Sequence, residues 1–463
     1  MSAAYDDFIA SKQTHIEPSG FTAPELAPFL FPFQRRNVEW ALSMGRAALF
    51  LDTGLGKTVQ QLEWARRVAD HTGRPTIVLA PLAVAHQTVR EAATFGIDGV
   101  QYAQTEAGIT ADATVVVTNY ERLDRFTAER FGGVVLDESG ILKNYTGARK
   151  RAILEAFHDT HYKLACTATP APNDHLELGN HAEFLGVMDS HQMIARWFIN
   201  DTSQFGTYRL KGHAVQDFWD WVTSWAVLAR LPSDLGDYDD TGYVLPELSM
   251  VSHTVDVDMV ALDADTGTLF RHVEMNATQV HKEKRRTVED RADKLASVLA
   301  ADTSEPWIVW CDTNYEADAL TARIAGTDVV ELRGSDSDAK KEAALRGFTD
   351  GTIRVLITKP KIAGFGLNWQ HCARVAFIGA TYSFESWYQA VRRVWRFGQT
   401  RPVEVHMVRS STASAVQAVM DRKRGEFESM QSEMVKAARR SVQAKASDRR
   451  HYNKRTMEVP TWM

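Results

Sequence analysis

The chain is 463 residues long and carries 53 Lys and Arg against 59 Asp and Glu, a formal net charge of −6. Hydrophobic residues make up 44% and charged residues 24%, the balance of a soluble globular protein. That charge excludes coating nucleic acid through bulk positive potential and leaves a local basic groove open. Length alone suggests roughly two to four domains at ~100–200 residues each.

The three cysteines, Cys166, Cys311 and Cys372, lie far apart without a CxxC pair. That pattern fits a reducing interior and gives neither a disulfide framework nor a zinc site. The opening segment "MSAAYDDFIASKQTHIEPSG" is polar and partly acidic, unlike a secretory signal. No apolar run approaches the ~18 residues of a membrane span. The expectation is a cytoplasmic monomer with no membrane partner.

From about residue 46, short apolar runs alternate with amphipathic stretches. "AALFL" predicts a strand, a glycine-rich turn follows, and "TVQQLEWARRVADHTG" predicts a helix. Val59, Leu62, Ala65 and Ala69 mark one face of that helix, and Gly73 and Pro75 stop it. "TIVLAP", "TVVVTN", "GGVVLDE" and "YKLACTA" read as further buried strands. Such alternation predicts a parallel sheet covered on both faces. The tryptophans of "FWDWVTSW" sit at a spacing that fits core rather than a base-stacking platform.

"LPSDLGDYDDTGYVLP" then reads as an irregular connection, and "HKEKRRTVEDRADKLASVLA" as a helix. It leads into a second alternating series: "WIVWC", "DVVEL", "IRVLITK", "RVAFIG" and "VEVHMV". The predicted fold class is α/β, two parallel-sheet lobes in tandem. After residue 412 a long helical stretch runs into a basic tail with Lys436, Arg439, Arg440, Lys445, Arg449, Arg450, Lys454 and Arg455. Such a run is ordinarily solvated; contact with DNA is the alternative. The expected boundaries are an N-terminal extension 1–28, a first lobe 29–230, a linker 231–290, a second lobe 291–435 and a tail 436–463.

"LDTGLGKT" follows a strand and opens a helix, the setting of a phosphate-binding loop. Thr53, Gly54, Leu55 and Gly56 would bring backbone N–H groups to phosphate oxygens. Lys57 would reach the β- and γ-phosphates of ATP, and Thr58 would ligate Mg²⁺. Leu51 stands where such loops usually have their first glycine. "VVLDES" supplies the partner, a strand end projecting Asp137 towards the metal and Glu138 towards the attacking water. In "QAVRRVWRFGQT" a helical reading puts Gln389, Arg393 and Arg396 on one stripe, where the guanidiniums repel by about 0.2–0.5 kcal/mol. An anion held by the first lobe would offset that repulsion, which makes these residues candidates for completing a γ-phosphate pocket. Trp395 and Phe397 would anchor the helix as core, and Gly398 would end it.

These segments, in this order, resemble the Swi/Snf-like ATPases of helicase superfamily two over residues 28–410. "LFPFQRRNVEWAL" is similar to the adenine-recognising segment, with Gln34 as its contact. "LDTGLGKT" and "LDES" match the first and second motifs, and "TATPAPNDHLELGNHAEFL" is similar to the third. "ITKPKIAGFGLNWQHC", with Asn368, resembles the fifth motif, and "QAVRRVWRFGQTRPV" the sixth. The DEAH-type box reads Asp137-Glu138-Ser139-Gly140, without its histidine. Lys361-Ile362-Ala363 replace a more glycine-rich stretch. The compact form resembles versions carried by bacteriophages and bacteria, which would place it in a host-cell cytoplasm.

The resemblance implies two RecA-like lobes in tandem with an ATP cleft between them. It implies an ATP- and Mg²⁺-dependent DNA translocase or helicase, most simply on duplex DNA. DNA contacts would fall at Asn119 and Tyr120 in the first lobe and at Arg333, Gly334, Thr358 and Lys359 in the second. The competing readings are an RNA-directed helicase and, in another class, a nucleotide-dependent switch or kinase that never moves on nucleic acid.

Overall fold

The computed structural model describes residues 16–22, 25–143, 147–172, 174–200, 208–256, 284–324, 326, 328–363, 368–379, 383–411 and 414–447. Among them, β1 (Arg46–Leu51), β2 (Thr76–Ala80), β3 (Val100–Tyr102), β4 (Val115–Asn119), β5 (Gly133–Asp137), β6 (Tyr162–Cys166) and β9 (Ala226–Ala229) form one sheet. Its order is β3-β4-β2-β5-β6-β1-β9, every pairing parallel. β7 (Phe198–Asn200) and β8 (Tyr208–Leu210) make a separate antiparallel ribbon.

The second sheet holds β10 (Leu248–Val255), β11 (Trp307–Trp310), β12 (Val329–Glu331), β13 (Val355–Thr358), β14 (Arg374–Phe377) and β15 (Val403–Ser410). Its order is β10-β15-β14-β11-β13-β12, again wholly parallel. Strands β1, β2, β4, β5 and β6 are buried almost throughout, as apolar strands covered by helices on both faces must be.

Parallel strands send all their carboxyl ends to one edge, and loops at that edge are where α/β sheets place ligands. The loops after β1, β4, β5 and β6 therefore share one rim. The helix Lys57–Thr72 starts from the rim. It buries Val59, Leu62, Trp64, Ala65 and Val68 and ends at Gly73, whose φ of 66° lets its N–H reach the Ala69 carbonyl at 2.9 Å.

Two expectations are corrected. Residues 231–290 are not only a connection, because β10 lies within them and pairs along its whole length with β15. The helix Ser414–Ser447 runs across the expected 435/436 boundary without a break. Arg439 on it pairs with Asp234 at 2.9 Å and Arg440 with Asp220 at 3.7 Å, so these two cations face acids of the first lobe. Arg449, Arg450, Lys454 and Arg455 lie outside the described residues. The tryptophan cluster is core as expected: Trp219, Trp221 and Trp225 are buried on the helix Val215–Trp225.

Candidate functional site

The loop from Leu51 to Thr58 turns on two glycines, Gly54 at φ 95° and Gly56 at φ 72°. Gly56 is doubly constrained. A side chain there would sit in a left-handed backbone and would collide with the Gln34 amide. Gln34 is buried on the helix Pro32–Met44; its Nε2 donates to the Leu55 carbonyl at 3.1 Å and its Oε1 accepts from the Phe31 N–H at 3.0 Å. One N–H of its amide stays uncommitted by these bonds. Lys57 Nζ donates to the Leu51 carbonyl at 2.8 Å and to that of Asp52 at 3.4 Å. Burial lowers the Lys57 pKa, and Glu138, Asp52 and Asp137 act against that.

β5 ends on Asp137, whose carboxylate accepts from the Glu138 N–H at 3.1 Å. Glu138 has φ 53°, the one non-glycine residue in the left-handed region among the described residues. Such strain gathers at sites that need a side chain aimed against local preference. Burial first, then the neighbouring Glu138, pushes the Asp137 carboxyl up to about 7; Gln61 and Lys57 oppose the shift. The Thr167 hydroxyl beyond β6 reaches the Glu138 carboxylate at 3.4 Å and accepts from the Thr169 N–H at 3.1 Å. The third motif thus touches the second.

From the other lobe comes the helix Phe384–Val391. It ends before the arginines rather than running through them, which corrects the single-stripe reading. Arg393 N–H bonds to the Ala390 carbonyl and Val394 N–H to that of Val391, a tighter turn than an α-helix. Gly398, at φ 88°, therefore serves a later turn and not the helix end.

Arg393 is 4% exposed, donates from Nε to the Gln389 carbonyl at 3.2 Å, and lies within electrostatic reach of Glu138 and Asp137. Burial lowers its pKa to about 10. Arg396, lowered to about 9 by burial and by Arg393, lies within electrostatic reach of Glu91. Gln389 is buried beside them. Phe397 is not core: it is 37% exposed, rests on Gly54 and meets the Tyr243 ring at a tilt, centroids 4.6 Å apart. Trp395 is part-buried, with Nε1 on the Pro246 carbonyl at 2.7 Å.

Sequence reasoning missed Arg392. Its guanidinium spans to the first lobe, pairing with Asp52 at 3.0 Å and donating to the Thr53 carbonyl at 3.0 Å and to the Thr53 hydroxyl. Three clustered arginines were visible, but nothing in their spacing says which one crosses. Asp52 was missed because its partners, Arg392 and Tyr388, come from the distant second lobe.

The expected DNA contacts divide. Tyr120 is 4% exposed and gives its hydroxyl to the Asp137 carbonyl at 2.8 Å. Thr358 is 1% exposed and bonds the Leu332 carbonyl at 3.1 Å. Neither offers its side chain to a phosphate, because each sits at a strand end already roofed by its own lobe. Asn119 is also buried, with its amide nitrogen on Glu121 at 3.0 Å. Gly334 is exposed and Lys359 half-buried, while Arg333 is held by Glu331 at 2.6 Å and by Asp318. Asn368 is exposed, but Gly364, Phe365, Gly366 and Leu367 of the fifth motif lie outside the described residues. Among the described residues no helix is long and apolar enough to cross a membrane.

Residues 33–213 match the SNF2-related domain family and residues 290–398 the helicase conserved C-terminal domain family. Putative protein p41 of Acyrthosiphon pisum secondary endosymbiont phage 1 is 23% identical over 81% of this chain and 92% of its own length. The putative ATP-dependent helicase/translocase YwqA of Bacillus subtilis is 23% identical over 84% of this chain. A SWI/SNF-related matrix-associated actin-dependent regulator of chromatin subfamily A-like protein 1 from Xenopus tropicalis is also 23% identical over 84% of this chain. The chain spans 47% and 43% of the length of these two proteins. Among solved structures, the Sulfolobus solfataricus SWI2/SNF2 ATPase core in complex with dsDNA aligns over 91% of this chain and 96% of its own, with 19% identity and a TM-score of 0.41. Two family matches in tandem, covering more than half of the chain and meeting at the cleft where Arg393 approaches Asp137 and Glu138, place it in a lineage: the chain belongs to the Swi/Snf-like ATPases of helicase superfamily two.

Proposed function

We propose that this chain is a DNA-dependent motor that spends ATP to move along duplex DNA. The observation that carries the reading is the composite pocket: Arg393 from the second lobe is buried within electrostatic reach of Asp137 and Glu138, which also face Lys57. A hydrolytic site that needs a group from each lobe is active only when the lobes close, and closure is a displacement.

In this reading the β- and γ-phosphates draw Lys57 away from the Leu51 and Asp52 carbonyls that now hold it. Gly54 and Gly56 let backbone N–H groups approach the phosphate oxygens. Gln34, fixed on Leu55, has an amide N–H left for the adenine edge. Glu138 orients the attacking water, and its strained backbone keeps the carboxylate aimed there. Arg393 meets the charge that grows on the γ-phosphate, a contribution of ~10³–10⁵ in rate for such arginines.

Mg²⁺ fits the residues present. Thr58 and Asp137 give a hydroxyl and a carboxylate, the short oxygen set this ion accepts beside phosphate and water. Among the described residues no cluster of three or more His, Cys, Asp or Glu would hold an ion unaided, so the phosphates would complete the shell. When bound, the ion would neutralise phosphate charge.

The experiment is ATP turnover with duplex DNA, single-stranded DNA and RNA, beside triplex displacement on a duplex track. Stimulation by duplex with displacement supports the motor. Turnover indifferent to all three would sustain the switch or kinase instead, and stimulation by RNA alone the RNA-directed enzyme.

A further inference from the structure

Arg392 belongs to no part of the mechanism above, yet it makes the closest charged contact between the lobes at the nucleotide loop. Its guanidinium and the Asp52 carboxylate are 3.0 Å apart, with the two side chains 5% and 9% exposed. The same fork donates to both oxygens of Thr53, carbonyl and hydroxyl. Asp52 is engaged twice more, by the Tyr388 hydroxyl at 2.8 Å and by the Thr53 N–H at 2.7 Å. Arg392 is itself held between rings, 5.7 Å from the Tyr388 centroid and 5.1 Å from that of Trp395. Leu51 and Asp52, whose carbonyls receive Lys57, are thus continuous with the segment gripped from the second lobe.

We propose that Arg392 is a positioning residue: from the second lobe it fixes the entrance of the phosphate loop, so that nucleotide affinity in the first lobe depends on docking of the second. A planar fork can serve Asp52 and both Thr53 oxygens together, and a lysine cannot. With the lobes apart, the Asp52 carboxylate keeps only its bond to the Thr53 N–H. The entrance then loses four of the contacts that define it, three from Arg392 and one from Tyr388. Binding of ATP and docking of the lobes become two faces of one equilibrium, since a ligand that favours the docked loop must also favour the docked lobes.

The proposal rests on the reading of this loop as the ATP site. The test uses the full chain and two readouts that need no turnover. The first is equilibrium binding of a fluorescent ATP analogue. The second is the interlobe distance of the nucleotide-free protein, from dyes on Glu129→Cys and Glu342→Cys, both exposed and on opposite lobes. Arg392→Gln should weaken nucleotide binding about tenfold or more, as loss of a charged bridge implies, and lengthen the distance. Arg392→Lys should recover part of the affinity. In turnover assays KM should rise while kcat changes far less, unlike the loss at a residue on the γ-phosphate.

Asp52→Asn, nearly the same in shape, is the second variant should Arg392→Gln fail to fold. Unchanged affinity or unchanged distance in a folded variant overturns the proposal. A wild type that binds the analogue without hydrolysing ATP defeats the motor reading and leaves this one to its own two measurements.

Discussion

The Tyr120 hydroxyl donates to the Asp137 main-chain carbonyl across 2.8 Å, joining the end of β4 to the acidic turn after β5. The bond braces the turn in which Glu138 takes its left-handed backbone. Burial raises the Tyr120 pKa well above its usual value, so the donor proton stays in place at any working pH. Tyr120→Phe should lower the unfolding free energy by about 1 kcal/mol and slow ATP turnover while leaving DNA affinity within about twofold. Urea melts, turnover and DNA titration check it. Lost DNA affinity with normal turnover would restore the expected surface role.

Arg393 and Arg396 lie within electrostatic reach of different acids, Glu138 and Asp137 for the first and Glu91 for the second. Arg393→Ala is expected to cut kcat by ~10³ or more with little change in ATP affinity. Arg396→Ala should have the smaller effect on kcat. Single-turnover measurements at saturating ATP separate the two, and equal losses would mean that both reach the γ-phosphate.

His181 gives a pH dependence with a definite sign. Its Nε2 bonds the Pro170 carbonyl at 3.0 Å, its Nδ1 is buried without a partner, and Phe50 lies edge-on at 5.0 Å. Burial, the largest cause, lowers its pKa to about 4 from 6.5. The unfolded chain therefore binds the proton first, so stability from neutral His181 is complete above about pH 6.5 and is lost as pH falls towards 4. The full loss is about 3 kcal/mol. Urea midpoints of wild type and His181→Gln should converge on acidification, and parallel curves would reject the assignment.

Asp234 is 2% exposed and accepts from the Arg230 N–H at 2.9 Å, the Leu231 N–H at 3.0 Å and Arg439 at 2.9 Å. Asp234→Ala leaves two backbone donors without their acceptor and should cost about 1–3 kcal/mol. Arg439→Ala, on an arginine 56% exposed, should cost less than 1 kcal/mol, near the ~0–1 of surface pairs. Thermal melts of both variants decide whether Asp234 stabilises the fold chiefly through its backbone bonds or through its pair with Arg439 on the helix Ser414–Ser447.

The glycine-and-lysine loop and the acidic strand end were legible because their backbone and charge demands are met by few residue types. Fully buried strands announced themselves as apolar runs. β10 did not: "LSMVSHTV" alternates half-buried with exposed residues at a sheet edge, which dilutes the apolar signal. The end of the helix at Val391 has no glycine or proline beside it to mark it, and the turn beyond carries Trp395 to the Pro246 carbonyl, a contact far away in sequence. Tyr120 and Thr358 looked like rim residues because strand ends usually are; only the fold shows them roofed over. Arg392 was hidden among equals, since identical side chains differ in role only through what the opposite lobe presents.

The helix Ser414–Ser447 leaves the last strand of the second lobe, packs Phe427 on Phe384 and Tyr388 at 5.1 and 5.2 Å, then seats Glu433 on Trp219 at 3.0 Å in the first. The second lobe is thereby tethered to the first at both of its ends, like a handle fixed at two points rather than a flap on one. A fluorophore or fused module attached at the close of that helix would travel with the lobe that carries Lys57. It would report nothing of the swing of the lobe from which the helix springs.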